Sequence, residues 1–300
     1  MSALPGGASA DRRVLHGIAL MVGAGCSFAV LDTIAKTLAS SYPSPMVAWA
    51  RYLFHVLVML VLLGPSRGRS LFATRRPGLQ VLRGLCLAGS SITFFAAIAH
   101  MPLAESAAIV AIAPILATVG AVRWLGERAP RGTAASLALS FAGVLLIVRP
   151  GGALFGWAAV LPLASAAFGT GYQLFTRRLT GVDDGVATLF IGAVVATVAM
   201  AGIAPAYWIP PVRAFDVLLF VFTGAIGAAG HLLLVRAYEH APTPVLAPFA
   251  YAHTVAALPL GWVVFGNFPD RWALAGMALI VATGVWMAWR RHMRVEPIEE

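Results

Sequence analysis

Apolar residues run along this chain in long stretches, and polar or turn-forming residues fall between them at short intervals. A helix that crosses a bilayer needs about 20 mostly apolar residues. Ten stretches meet that need, at roughly Leu15–Leu38, Met46–Leu63, Leu79–Ala99, Leu103–Leu125, Thr133–Val148, Trp157–Phe175, Val186–Ala204, Phe215–Tyr238, Thr243–Phe265 and Trp272–Trp289. The breaks carry turn chemistry: Tyr42-Pro43-Ser44-Pro45, Gly64-Pro65-Ser66, Arg149-Pro150-Gly151-Gly152, Ile209-Pro210-Pro211 and Phe268-Pro269-Asp270. The longest linker, about residues 64–78, is too short for a soluble catalytic module. The pattern predicts an all-α integral membrane protein of ten spanning helices.

Composition agrees. Of the 300 residues, 60% are apolar and only 11% charged, with a mean hydropathy of +0.84, against about 25% charged in soluble domains. This excludes a nucleic-acid domain, a secreted disulfide scaffold and a disordered chain. Cys26 and Cys86 lie inside apolar runs, too few and too separate for a disulfide framework or a zinc site. Neither a metal nor a cofactor is implied. The net charge of +9 reads as a basic collar that orients the spans, not as a nucleic-acid surface. With the N-terminus cytoplasmic, fifteen cations fall on the inner side and five on the outer, and Arg83 lies within a span. Both termini are therefore expected in the cytoplasm. Arg12 and Arg13 precede the first apolar run without a cleavage pattern after it, so that run is expected to be retained as a span.

Shifted on itself by 140 positions, the chain falls into register. His100-Met101-Pro102 meets His240-Ala241-Pro242, Ala107 meets Ala247, Gly126 meets Gly266, and Arg131 meets Arg271. This divides the chain into a tail (1–13), a first repeat (14–150), a second repeat (151–290) and a closing tail (291–300). Each repeat holds five spans, an odd number, so the second enters the membrane from the opposite face. Inverted-topology repeats are the architecture of secondary transporters, with a site near the midplane that opens alternately to either side.

The run Ala96-Ala97-Ile98-Ala99-His100-Met101-Pro102-Leu103-Ala104-Glu105 onward to Pro114, then Trp124-Leu125-Gly126-Glu127-Arg128-Ala129-Pro130, resembles the end of helix 3 and helix 4 of the drug/metabolite transporter superfamily, EamA type. The second copy, Ala247-Pro248-Phe249-Ala250-Tyr251-Ala252-His253 through Gly261-Trp262 to Gly266, resembles helix 9 of that family. The family's Gly-Glu ending appears as Gly266-Asn267 in the second copy, so a pairing role of Glu127 is not duplicated. The resemblance spans all ten helices. It implies a ten-helix basket around a central cavity, with spans five and ten peripheral. It also implies export or exchange of small metabolites without ATP across a bacterial inner membrane, with amino acids first. Among its members, bacterial aromatic amino-acid exporters of the YddG type are the nearest in texture.

Polar residues deep in a span are functional candidates by default. Asp32 is a coupling candidate, although a simple pair with Lys36, one turn on, is the favoured reading. His253 is the strongest polar candidate, flanked by Tyr251 and Thr254 and by prolines that free backbone carbonyls for a wet cavity. His231 and His55 read mainly as packing histidines. Ser91 with Phe94 in span three, and Tyr172 with Gln173 in span six, mix hydroxyls, amides and rings as a ring-bearing zwitterion requires. The expected substrate-binding set is His253, Tyr251, Gln173, Tyr172, Phe94, Ser91 and His231. Glu105 reads as a helix cap, Arg83 as a snorkelling residue, Arg236 as a partner of Glu239 or a substrate carboxylate, and Trp208, Trp286 and Trp289 as interface belt residues.

Two other readings fare worse. Carriage of phosphorylated metabolites would need midplane cations, and the lone lysine with edge-bound arginines argues against it. A membrane enzyme would need clustered His and acidic residues on adjacent spans, and no such cluster or phosphate loop occurs.

Overall fold

The computed structural model describes residues 6–101, 103–129, 131–148, 157–266 and 270–292. Helices follow the apolar stretches: α1 (Gly6–Ala39), α2 (Ser44–Arg67), α3 (Pro77–His100), α4 (Leu103–Val110), α5 (Ala113–Trp124), α6 (Thr133–Val148), α7 (Val160–Leu179), α8 (Gly185–Ala201), α9 (Ala214–His240), α10 (Thr243–Leu246), α11 (Ala252–Phe265) and α12 (Arg271–His292). Five stretches, Arg12–Ala39, Ser44–Phe72, Pro77–His100, Ala214–His240 and Thr243–Phe265, are long and apolar enough to cross a membrane on those grounds alone.

Spans four and nine differ from the continuous helices expected at Leu103–Leu125 and Thr243–Phe265. Each is broken, into α4 with α5 and into α10 with α11. Proline explains both breaks. Pro114 sits in the first turn of α5, where its fixed φ and missing N–H are tolerated. Pro248 lies in the 3-10 turn Ala247–Phe249. The breaks fall at Ala111 and Tyr251, which are 140 positions apart. Among the described residues, twelve α-helices thus make ten crossings in two halves of five, and the halves have inverted topology.

The packing obeys the same correspondence. α1 packs on α9 as α7 packs on α3, α2 on α9 as α8 on α3, and α1 on α11 as α7 on α5. α2 meets its own counterpart α8, and α6 meets α12 at the periphery. Gly84 and Gly224, again 140 apart, make two of these crossings possible. A Cβ on Gly84 would come within 2.5 Å of the Val195 side chain on α8, and one on Gly224 within 2.6 Å of the His55 backbone on α2. Small residues let helix backbones approach where lipid offers no hydrophobic drive to associate.

Burial is inverted relative to a soluble protein. Val61, Leu62, Val198 and Val263 are 68–76% exposed, whereas His55, Gln80 and Arg83 are fully buried. The outer surface is the apolar one, and the polar groups meet at the centre.

Candidate functional site

A cavity of about 190 Å³ lies between the two halves. Its walls come from α1, α3, α7, α9 and the two broken spans, with Arg51 contributed by α2. Val110, Ala111 and Pro114 border it at one break, and Ala250, Tyr251 and His253 at the other. Interrupted helices at matching positions of two repeats are where transporters of this architecture build their sites. Phe28, Phe94 and Phe95 supply aromatic faces.

One wall carries Arg51, which is 5% exposed. Its Nη1 donates to Ser91 Oγ at 2.7 Å, and its Nη2 lies 2.8 Å from His231 Nε2. A guanidinium only donates, so Nε2 accepts and the imidazole proton resides on Nδ1. That Nδ1–H donates to Tyr172 Oη at 3.0 Å. Tyr172 Oη also accepts from Arg83 Nη2 at 2.9 Å. Arg83 is fully buried behind Tyr172, where its Nε donates to Thr176 Oγ1 and its Nη1 to the Thr188 carbonyl. Tyr52 stacks under the Arg51 guanidinium at 4.7 Å, and its hydroxyl reaches Ser91.

The other wall carries Asp32, whose Oδ2 lies 2.7 Å from His253 Nε2. The His253 ring stands 6.3 Å from Phe94. Gly25 lets α1 come this close to α11, since a Cβ there would sit 2.8 Å from the His253 backbone nitrogen. Arg51 pairs with His231 and Asp32 with His253, so each wall joins a charged residue of the first half to a histidine of the second.

Further polar contacts lie beyond the cavity lining. Toward the arginine-rich end, Glu127 pairs with Arg177 and accepts the Thr243 N–H at 3.0 Å. Arg177 also donates to the Tyr238 carbonyl at 2.7 Å, and Tyr238 Oη donates to Gln173 Oε1 at 2.9 Å. At the opposite end, Lys36 Nζ donates to the carbonyls of Ile98 and Met101 at 2.9 and 3.0 Å. Outside the spans, burial raises the Asp183 carboxyl pKa, but hydrogen bonds from Thr74, the Arg75 N–H and Gln80 outweigh it and hold it below the usual carboxylate range. This ties the α7–α8 turn to the start of α3.

All eight residues expected from the sequence, Asp32, Ser91, Phe94, Tyr172, Gln173, His231, Tyr251 and His253, border this one cavity. Several details differ from expectation. Asp32 bonds His253, 221 positions away, and Lys36 bonds backbone carbonyls. Arg83 does not snorkel, because three acceptors on α7 and α8 hold it inside. The arginines are not all edge-bound: Arg51 and Arg83 are both interior. His231 is more than packing, since it bridges Arg51 to Tyr172 on the cavity wall. His55 is fully buried, 6.1 Å from the His231 ring. Arg236 pairs with Glu239 at 2.9 Å. The side chains of Glu105 and Trp289, and Asn267, lie outside the described residues.

Arg51 was the main residue that the sequence reading missed. Its signal was available: Met46-Val47-Ala48-Trp49-Ala50 precedes it and Tyr52-Leu53-Phe54 follows, so it stands inside a span. Burying a charge at that depth costs from about 3 to above 10 kcal/mol by different measures, which is reason to treat it as functional.

Inverted five-span halves enclosing a polar, aromatic-walled cavity are an architecture of secondary transporters. Residues 15–149 match the EamA-like transporter family. The chain is 28% identical to a riboflavin transporter of Rhizobium johnstonii, over 95% of this chain and 94% of that one. It is 27% identical to the pseudopaline exporter CntI of Pseudomonas aeruginosa, over 88% of this chain and 93% of the relative. An S-adenosylmethionine uptake transporter of Rickettsia conorii is 22% identical over 86% of this chain and 87% of its own. A crystal structure at 20% identity superposes with a TM-score of 0.70, covering 97% of this chain and 99% of the other, a likeness of fold. The chain is thus similar to bacterial membrane transporters along most of its length, and to the EamA-like transporter family over residues 15–149.

Proposed function

We propose that this protein exports a small organic metabolite bearing both an acidic and a basic group, amino acids including aromatic ones first among them. The observation that carries this reading is the pair of oppositely charged residues, Arg51 and Asp32, on one aromatic-walled cavity. A guanidinium suits a carboxylate, a carboxylate suits an amine, and the phenylalanine faces suit a ring. Each charge is bonded across the two halves, so a substrate that competes for Arg51 or Asp32 loosens contacts between them. Repeats 14–150 and 151–290 then rock about the site, giving alternating access in a bacterial inner membrane with both termini cytoplasmic. Asp32 with His253 is the group through which a proton gradient acts.

A second substrate class has its own support. The similarity to a riboflavin transporter runs nearly the full length of both chains, and the same aromatic walls suit a fused heterocycle. Purified protein in liposomes decides between them. We expect labelled phenylalanine to enter faster when the vesicles hold unlabelled large neutral amino acids, and Asp32→Asn to remove any acceleration by a pH gradient. Uptake of labelled riboflavin with none of phenylalanine would replace the amino-acid reading. Silence for both, with folded protein, would end it.

A further inference from the structure

We infer that Arg51, with Tyr172 on the far side of His231, forms a subsite for a monoanionic carboxylate, so that compounds this transporter binds well carry an acid group. The inference rests on reading the cavity as the transport site.

Arg51 and Arg83 are 5% and 0% exposed in the middle of the bundle, yet among the described residues their hydrogen bonds go to neutral partners: Ser91 and His231 for one, Thr176, the Thr188 carbonyl and Tyr172 for the other. Nearby acids are engaged elsewhere, Asp32 with His253, Glu127 with Arg177, and Asp183 with Gln80. Among the described residues no carboxylate bonds either guanidinium. Tyr52 and Phe95 lie under Arg51 at 4.7 and 5.7 Å, which holds the cation without neutralising it.

The hydrogens point to the same need. His231 accepts from Arg51 and donates to Tyr172, whose oxygen also accepts from Arg83. With both lone pairs of Tyr172 Oη occupied, its hydroxyl proton remains to be donated. Arg51 Nε is buried and has no partner among the described residues. His55 adds an imidazole with both ring nitrogens unpartnered beside His231. Arg51 and Tyr172 both border the cavity. The wall therefore carries a positive charge that no described carboxylate compensates, and buried charges persist where something pairs with them. A carboxylate accepts from several donors at once and brings the missing negative charge. One guanidinium at the cavity surface, with Arg83 set behind Tyr172, matches a single negative charge.

The test compares phenylacetate with phenylacetamide, which differ in charge and hardly in shape, by binding to the purified transporter in detergent. We expect the acid to bind at least about ten-fold more tightly to the wild type. Arg51→Gln should reduce that ratio to about two-fold or less, and Arg51→Lys should keep part of it, since a point charge replaces the fork. Equal affinity for acid and amide in the wild type, binding of neither, or an acid preference that survives Arg51→Gln would overturn the subsite. The wild-type comparison stands even where a variant does not fold. Transport of phenylalanine without an acid preference would sink the subsite and leave the transport reading intact. An Arg51-dependent acid preference with no transport would do the reverse.

Discussion

Arg83 and Arg51 are the same residue type at similar burial, and their neighbours give them different work. Arg83 distributes three hydrogen bonds over Thr176, Thr188 and Tyr172, cementing α3 to α7 and α8. Gly192 makes room for it, since a Cβ there would fall 2.3 Å from Arg83 Nη1. Arg83→Gln should therefore cost about 3 kcal/mol, because a shorter neutral side chain leaves buried acceptors unpaired. Arg51→Gln abandons only Ser91 and His231 and should destabilise less, changing ligand choice instead. Thermal unfolding of the two variants in detergent checks the order; a larger loss at Arg51 would contradict this division of labour. Sequence alone marked Asp32, His253 and Tyr172 as unusual because each is polar inside an apolar run. It did not say which partner each would choose, since the partners lie 59 to 221 positions away.

At the level of helices, the informative departures are the breaks at Ala111 and Tyr251 and the close crossings at glycine. Neither break alters the apolar content of its span, so hydropathy reads through both. Proline signals them locally, and their equivalence emerges only when the two halves are aligned. Gly25 is the crossing most directly tied to the site. Gly25→Ala should push α1 from α11 at the level of Asp32 and His253, lowering transport several-fold while the protein remains folded. Gly64→Ala, in an open position where a new Cβ meets nothing within 4 Å, should leave transport unchanged. Liposome exchange rates for the pair measure this directly, and equal rates would show that the crossing tolerates a methyl group.

For the whole molecule, the question is how two similar halves make an asymmetric machine. The fold is symmetric in its packing and asymmetric in its chemistry. Position 191 is Ile where the first half has Arg51, and position 223 is Thr where it has Arg83. Glu127 reaches Arg177 and Thr243 and so fastens the first half to the second at the arginine-rich end. The cation distribution predicts that this end faces the cytoplasm. Tags on either terminus should resist protease added to intact cells and be cut once the membrane is permeabilised. Cleavage of either tag in intact cells would refute that orientation.

Apolar run length, turn residues and an offset of 140 were enough to determine ten crossings, two inverted halves and a polar interior. These are properties of short windows and of self-similarity, and a bilayer enforces them residue by residue. The same features single out eight residues by type and depth, and all eight border the cavity. What it did not contain was the network among them. Whether Arg83 snorkels or is held, whether Asp32 reaches His253, and whether Arg51 faces lipid headgroups or a cavity all depend on which helices pack together. That is decided by glycine-permitted backbone approach and by pairing of buried polar groups across the two halves, and both exist only in the assembled bundle.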